Sequence, residues 1–263
     1  MRWQPLVIFF FCAISLLAPV LATENPMRAD TNAQLQPPGA IHPLGTDMLG
    51  RDVFSRLLYG GQRTLFIAGM ATLTAVIIGG LLGLASGITN SFGNRVLSGV
   101  INMFLAFPTI LVALVVLTIL GIGPIPLAIA TGFAQIGAFG RISRVTAMRI
   151  RSQMYVESGY AIGATRWHIL RFYILPNAQS ALTSYAAITF GYCLLNSTTL
   201  SFLGLGGEPG VPDWGAMLAE SRVAFWDAPW LGIVPGLAIT FIVWAIISWV
   251  NQMNVATFQS TLG

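Results

Sequence analysis

Few residues of this 263-residue chain could take part in catalysis. The sequence has two histidines, His42 and His168, and nine acidic residues. Both histidines fall in predicted loops, and no carboxylate falls within an apolar run long enough to cross a membrane. Hydrolysis inside a membrane needs a nucleophile paired with a base, or a metal site, at that depth. The sequence therefore gives little support to a membrane-embedded enzyme.

Two glycine-rich turns, Gly45-Thr46-Asp47 and Gly50-Arg51-Asp52, could be taken for a phosphate cradle or a metal loop. They lack the Gly-Lys-Ser/Thr end of a P-loop and the spacing of a calcium loop. Their residue types are typical of tight turns, with aspartate as a turn or helix-start residue. We expect an ordered surface turn that leads into a helix. Cys12 and Cys193 both lie in apolar runs, so we expect small buried residues rather than a disulfide or a metal pair.

The longest polar-rich interruption in the second half of the chain is ESGYAIGATRWHILRFYILPN, residues 157–177. The pattern predicts a helix over 152–162 that ends at Gly163, a position that favours a left-handed backbone. Thr165 can cap a second short helix. In that helix Trp167, Leu170 and Ile174 are spaced to form one apolar face, which Ile169 and Tyr173 extend.

Pro176 can end the second short helix or begin the next span. The residues alone leave two alternatives open for the stretch: a docking element, or an interfacial helix that binds nothing.

The composition indicates that a membrane surrounds most of the chain. Hydrophobic residues make up 55% of the chain and charged residues 8%, against about 25% charged in a typical soluble domain. The mean hydropathy is +0.75. We predict an all-α integral membrane protein with six transmembrane helices, over 5–22, 64–89, 96–120, 125–142, 179–203 and 229–250.

The predicted domain organisation follows from these spans. Residues 1–22 form the first span, with a cleaved signal peptide as the alternative. An external loop covers 23–63, the membrane core covers 64–250, and a tail covers 251–263. Within the core, residues 144–176 form a cytoplasmic loop because arginines there are costly to bury in a bilayer. Residues 204–228 form an external loop, in which Asp213 caps a short helix beginning at Trp214.

Two spans contain unusual residues. Pro108 lies inside the third span, where we expect it to kink the helix. The fifth span is polar for a helix that faces lipid, with Thr189, Asn196, Ser197 and Thr198 among its residues. These side chains could line a wet pathway, or they could form ordinary hydrogen bonds between helices.

Arginine counts predict the orientation. With six spans, one side holds eight arginines and the other holds five, of the 13 basic residues in the chain. The side richer in arginine is cytoplasmic, which places both termini and residues 157–177 in the cytoplasm. Because a basic balance in a membrane protein reports topology, we expect no nucleic-acid partner.

Residues 157–176 resemble the EAA loop of ABC importer permeases, whose pattern is Glu-Ala-Ala, three residues, Gly, nine residues, Ile-x-Leu-Pro. Glu157, Gly163, Leu175 and Pro176 match at the proper spacing. Ser158 and Gly159 replace the alanines, and Tyr173 replaces the isoleucine. HPLGTDMLGRDVFSRLLYGG and SFLGLGGEPGVPDWGAML are similar to segments of C-type permeases of dipeptide, oligopeptide and nickel importers, as is Ala106-Phe107-Pro108. The last span departs from the acidic ending usual in that family.

The resemblance implies the type I ABC importer permease fold, a multi-pass position in the cell (inner) membrane, and partners. The partners are a second homologous permease subunit, two ATP-binding cassette subunits that use ATP, an extracytoplasmic substrate-binding protein and the lipid bilayer. This chain would bind no cofactor or metal. The implied ATPase-coupling residues are Glu157, Gly163, Ala164, Thr165, Trp167, Leu175 and Pro176. The implied external-loop motif consists of His42, Gly45, Thr46, Asp47, Gly50, Arg51, Asp52, Asp213, Trp214 and Gly215.

The implied function is a permease subunit of an ATP-driven importer for peptides or for nickel and other metal chelates. The sequence does not distinguish these substrates. An ion-coupled secondary transporter is the other alternative, but such proteins commonly carry ionisable residues within their spans and internal repeats, and neither is visible.

Overall fold

The computed structural model describes residues 13–15 and 17–260, with side chains as far as residue 252. This part of the chain contains no β-strand, only an isolated bridge between Thr46 and Asp52. Its helices are α1 (Ala18–Leu21), α2 (Val53–Ile88), α3 (Ser91–Ala106), α4 (Thr109–Leu120), α5 (Pro124–Arg151), α6 (Met154–Ala161), α7 (166–202), α8 (Trp214–Ser221) and α9 (Trp230–Ser260). A short 3₁₀ turn covers Thr31–Ala33.

The chain divides into two compact units. Unit 1 comprises Met1–Gly69, Leu120–Ala128 and Gly191–Gly263, and unit 2 comprises Met70–Ile119 and Ile129–Phe190. Five of the six predicted spans correspond to α2, α3 with α4, α5, α7 and α9. Most of the first, together with the question of its cleavage, lies outside the described residues.

Among the described residues, three helices, α2, α5 and α9, are long and apolar enough to cross a membrane, and the bent pair α3 and α4 would make a fourth span if it crosses as one. The helix α2 begins at Val53, so its first residues belong to the stretch that was predicted to be an external loop. At the other end of the chain α9 continues to Ser260, and the predicted tail is therefore helical over 251–260.

The third predicted span bends at Pro108, as expected, but the bend is a complete break of the helix. The chain forms two helices, α3 and α4, bent by 94°. Phe107 has an extended backbone with φ −105° and ψ 143°, because the ring of a following proline disfavours the helical region. The Pro108 carbonyl then accepts hydrogen bonds from the amides of Leu111 and Val112 and starts α4.

Of the two alternatives for Pro176, the structure contradicts the one in which it ends the second short helix, because α7 runs through it without interruption and its α-helical part begins again at Leu175. A π-helical turn covers Leu170–Ile174 just before the proline. The amide of Leu175 bonds to the Leu170 carbonyl, five residues back, and the Asn177 side-chain amide donates to the Tyr173 carbonyl at 2.6 Å. The widened turn accommodates a residue that has no amide hydrogen. The second short helix is therefore the start of a long one.

Unit 2 is held together by close contact between α2 and α5. A Cβ on Gly79 would lie 2.7 Å from the Ile136 carbonyl oxygen, and a Cβ on Gly87 would lie 2.6 Å from the Ala147 Cβ. Gly83, midway between them, faces the carbonyl of Gly140. In lipid, where water gives no drive for helices to associate, small residues at such spacing allow the backbone contact that does.

Candidate functional site

The stretch from α6 into α7 forms the sharp corner that the sequence predicted. The helix α6 ends just before Gly163, whose φ is +89°. The amide of Gly163 bonds to the Tyr160 carbonyl and that of Ala164 bonds to the Gly159 carbonyl, both at 3.0 Å. Thr165 caps α7 by accepting a bond from the His168 amide at 3.3 Å. The glycine corner and the threonine cap are therefore confirmed as structural predictions.

The inner face of this corner is seated on unit 2 through apolar contacts. A buried cluster combines residues from the ends of α2 and α5 with residues of α6 and α7: Leu84, Ile88, Ala147, Val156, Ile169 and Ile174. A Cβ on Gly159 would lie only 2.9 Å from Ile169 Cδ1. Gly159 therefore allows α6 and α7 to meet closely, which gives a reason for a small residue at that position of the motif.

The predicted apolar face of the second helix was partly wrong. Ile169 and Ile174 are fully buried, but the Trp167 side chain is 67% exposed. The π turn at 170–174 changes the helical phase, so that residues five apart share the buried face. His168, in the predicted cytoplasmic loop, lies in the first turn of α7, beside the Phe172 ring at 4.7 Å between centroids.

The outer face of the corner is exposed and largely apolar. Ile162 is 84% exposed and Leu175 is 46% exposed, in addition to Trp167. Glu157 and Pro176 are exposed as well. Apart from the two chain neighbours of Gly163, no described atom would come within 4 Å of a Cβ on that residue. Of the coupling residues predicted from the motif, all but the half-buried Ala164 are exposed, and we call the stretch from Met154 to Pro176 the coupling segment.

In unit 1 the predicted surface turn is in fact buried. Asp52 is fully buried and starts α2, because its Oδ2 accepts bonds from the amide and the hydroxyl of Ser55, both at 2.8 Å. His42 Nδ1 lies 3.1 Å from Asp52 Oδ1. Gly45 and Gly50 have positive φ of 75° and 72°, and Thr46 is buried. The helix-start role of Asp52 is confirmed, whereas the surface position was wrong.

A second polar group, whose pairing was not predicted, links the turn to α8. Glu220 accepts hydrogen bonds from Arg51 Nη2 and Arg56 Nη2, both at 2.8 Å. Asp47 pairs with Arg51 Nε at 2.6 Å and lies 3.5 Å from Arg56 Nε. The side chains of Arg51 and Arg56 are only 7% and 1% exposed. We call these four residues the arginine cluster.

The start of α8 is fixed by Asp213, as predicted. Asp213 Oδ1 accepts bonds from the amides of Gly215 and Ala216, and its Oδ2 accepts from the Thr64 hydroxyl at 3.2 Å. Burial raises the pKa of Asp213 above its ordinary value, although these hydrogen bonds oppose the shift. Trp214 is 2% exposed and donates from Nε1 to the Leu57 carbonyl, so it belongs to the core and not to an exposed docking surface.

The polar residues of α7 bond mainly to their own helix. Thr189 donates to the Tyr185 carbonyl at 2.8 Å, and Ser197 and Thr198 donate to the Leu194 carbonyl. All three are buried, and Asn196 is half-buried. That these residues line a pathway stays a prediction. Cys193 is buried, as expected, whereas Cys12 lies outside the described residues.

Among the described residues, no group of three or more histidine, cysteine, aspartate or glutamate side chains is arranged to hold a metal ion.

Comparison with known proteins gives the same result at the level of sequence and of fold. Residues 66–258 match the family described as binding-protein-dependent transport system inner membrane component. The dipeptide transport system permease protein DppC of Alkalihalophilus pseudofirmus is 33% identical over 238 residues, which are 90% of this chain and 78% of that protein. The glutathione transport system permease protein GsiD of Pectobacterium atrosepticum is 37% identical over 202 residues, 77% of this chain and 67% of that protein.

Among solved structures, an inward-facing form of the MetNI methionine ABC transporter has a TM-score of 0.58 at 20% identity, covering 75% of this chain and 96% of the matched chain. The fold is therefore that of ABC transporter permeases, and the resemblance read from the motifs is confirmed. The chain is a transport subunit and not an enzyme, since ABC importers hydrolyse ATP on separate subunits. The chain belongs to the inner membrane components of binding-protein-dependent transport systems, and within an ABC importer it is the permease.

Proposed function

We propose that this chain is a peptide permease that pairs with a second homologous permease subunit and is driven by two ATP-binding cassette subunits through its coupling segment. The observation that carries the proposal is the exposed apolar surface around Gly163 on a corner whose inner face is firmly buried. Ile162 and Trp167 are exposed at 84% and 67%, and either an ATPase cleft or the bilayer interface would cover them. The spacing of the motif around Gly163 favours the cleft.

The orientation is part of the same proposal. The eight arginines on the side of the coupling segment support a cytoplasmic position for it and for both termini. The loops on the other side of the membrane would then meet an extracytoplasmic substrate-binding protein. Because Trp214 is buried, contact with that protein would fall on exposed residues of the loop, such as Glu208 and Trp226. We expect no cofactor on this chain, and ATP would be used by the partner subunits.

The substrate class rests on the relatives. Those compared above are named as transporters of dipeptides and of glutathione, and a third relative is named as a probable D,D-dipeptide transport permease. Peptides are therefore favoured over nickel or other metal chelates, which none of these three names mentions. Isolating the cognate binding protein and identifying the ligand it retains would test this choice directly.

The coupling role is tested by Gly163→Asp in the assembled transporter. The new carboxylate would fill the open space at the corner and place a charge against the ATPase cleft. The left-handed backbone of residue 163 is one that Asp tolerates better than most residues do. We expect normal membrane insertion, with loss of uptake and of the ATP hydrolysis that substrate-loaded binding protein stimulates.

Trp167→Ala should weaken co-purification of the ATPase subunits, and Phe92→Ala is its matched control. Phe92 is also a strongly exposed aromatic residue of unit 2, at 73%, but lies at the start of α3 and outside the coupling segment. Near-normal uptake by the Gly163→Asp variant would refute the coupling role. Equal losses of the ATPase subunits from the Trp167→Ala and Phe92→Ala variants would show that Trp167 has no specific role in binding them.

A further inference from the structure

Arg151, the last residue of α5, lies where three elements of unit 2 meet. Its Nη1 donates to the carbonyls of Gly87 and Thr89, at 3.3 and 3.2 Å, at the end of α2. Its guanidinium carbon lies 5.9 Å from the centroid of the Tyr160 ring on α6. One side chain therefore contacts the end of α2 and the coupling segment, while its own backbone belongs to α5.

The two contacts suit the chemistry of arginine in particular. The last carbonyls of a helix have no partner within that helix, and they carry the negative end of its dipole. A planar guanidinium can donate to two such oxygens and still lie over an aromatic ring. Tyr160 contributes only its ring to this contact, since its hydroxyl is buried without a hydrogen-bond partner in the described structure.

The helices that Arg151 joins are already a tightly packed pair. Gly79, Gly83 and Gly87 place the backbone of α2 directly against α5. Close packing makes such a pair move as one body and not bend independently. The buried cluster beneath the corner gives the coupling segment an apolar seat, but apolar contacts are not directional. The hydrogen bonds of Arg151 add direction to the contact between α5 and the end of α2. The same guanidinium lies over the Tyr160 ring, which links that helix pair to α6.

We propose that Arg151 is a positioning residue that transmits displacement of the coupling segment to the α2–α5 pair. The inference rests on the proposed coupling function and adds the residue through which the motion passes. Without the guanidinium, the coupling segment would still fold on its apolar seat and still bind an ATPase subunit. Its movement would no longer be passed fully to the end of α2.

The test compares Arg151→Gln with Arg149→Gln in the complete transporter with its binding protein, reconstituted in vesicles. Arg149 is an exposed arginine of the same helical turn whose side chain makes no hydrogen bond or ion pair with another described residue. For Arg151→Gln we expect normal assembly and basal ATP hydrolysis. We also expect uptake per ATP hydrolysed to fall about tenfold, equivalent to about 1.4 kcal/mol. Arg149→Gln should retain the wild-type ratio.

Three further variants separate a positioning role from a merely structural one. Arg151→Lys should recover part of the ratio, since an ammonium can donate to the carbonyls but lacks the planar fork. Tyr160→Phe keeps the ring and should behave as wild type, whereas Tyr160→Leu should lower the ratio. Combining Arg151→Gln with Tyr160→Leu should cost no more than Arg151→Gln alone, because contacting residues are not additive.

A distance measurement gives a readout that does not depend on transport. Spin labels on Ser158→Cys and Phe92→Cys, both at exposed positions of unit 2, should give a narrow distance distribution that Arg151→Gln broadens. If Arg151→Gln matches Arg149→Gln in both the uptake ratio and the distribution while Gly163→Asp abolishes uptake, this inference alone is overturned. If Gly163→Asp transports normally, the proposed coupling function fails first.

Discussion

Glu220→Ala would remove the residue that joins the arginine cluster. Both Arg51 and Arg56 donate to Glu220 at 2.8 Å, and only Asp47 would remain to balance two buried guanidinium groups. Removing one partner of a buried ion pair costs about 3–5 kcal/mol. The Glu220 side chain is 37% exposed, so water would compensate part of the loss. We therefore expect a cost of roughly 2–4 kcal/mol.

At about 2–4 °C per kcal/mol for a domain of this size, the midpoint of thermal unfolding should fall by roughly 5–15 °C. The assay is tryptophan fluorescence of the purified complex during heating, which is informative here because the buried Trp214 donates to the Leu57 carbonyl on the α2 turn next to Arg56. Glu208→Ala is the control, since Glu208 is an exposed acidic residue of the same loop. A midpoint for Glu220→Ala within about 2 °C of that control would refute the reasoning, because it would put the energy of the cluster near that of a surface pair.

Two further predictions concern packing and pH. Gly83→Ala would push a Cβ into the Gly140 carbonyl and should destabilise the permease by about 1–3 kcal/mol, measured as loss of folded protein on heating. Gly69→Ala is the control, because it lies on the same helix with no described atom within 4 Å of its Cβ, and it should be neutral or stabilising by up to about 1 kcal/mol. Equal behaviour of the two variants would contradict close α2–α5 contact. Because burial raises the pKa of Asp213, the folded chain holds that proton more tightly than the unfolded chain, and this contribution to stability is lost as the pH rises above the ordinary value of 3.8 through the raised one. Asp213→Asn, which can still cap α8, should therefore gain melting temperature relative to wild type as the pH is raised above 3.8. A difference that shrinks as the pH rises would show that the charge is well solvated.

The parts of the structure that the sequence predicted are those set by local chemistry. Gly163 adopts a left-handed backbone, and Thr165, Asp52 and Asp213 cap helices. Each of these outcomes depends on residues within four positions of one another, so a single sequence carries the signal. The membrane class and the family motif were also predictable, since composition and fixed spacing need no knowledge of tertiary contacts.

The predictions that failed depend on contacts between distant residues or on small changes of helical phase. Arg51 and Glu220 are separated by 169 positions, and nothing local indicates that they pair. The available hint was that Arg56 is followed by the apolar pair Leu57-Leu58 and would need a carboxylate if it were buried with them. Trp167 was assigned to the buried face because a regular helix was assumed, whereas the π turn at Leu170–Ile174 moves that face to Ile169 and Ile174.

Different kinds of contact stabilise the interior of each unit, and the difference bears on how a displacement could be transmitted. Unit 1 uses buried charges, whose pairing is directional but costly to rearrange. In unit 2, glycines and a buried apolar cluster allow small shifts at little cost in hydrogen bonds. A segment that must be displaced repeatedly is better supported by apolar contacts like those of unit 2, provided that one directional contact determines how the neighbouring helices move with it. Arg151 is placed to be that link, which is why its removal should affect coupling more than it affects folding.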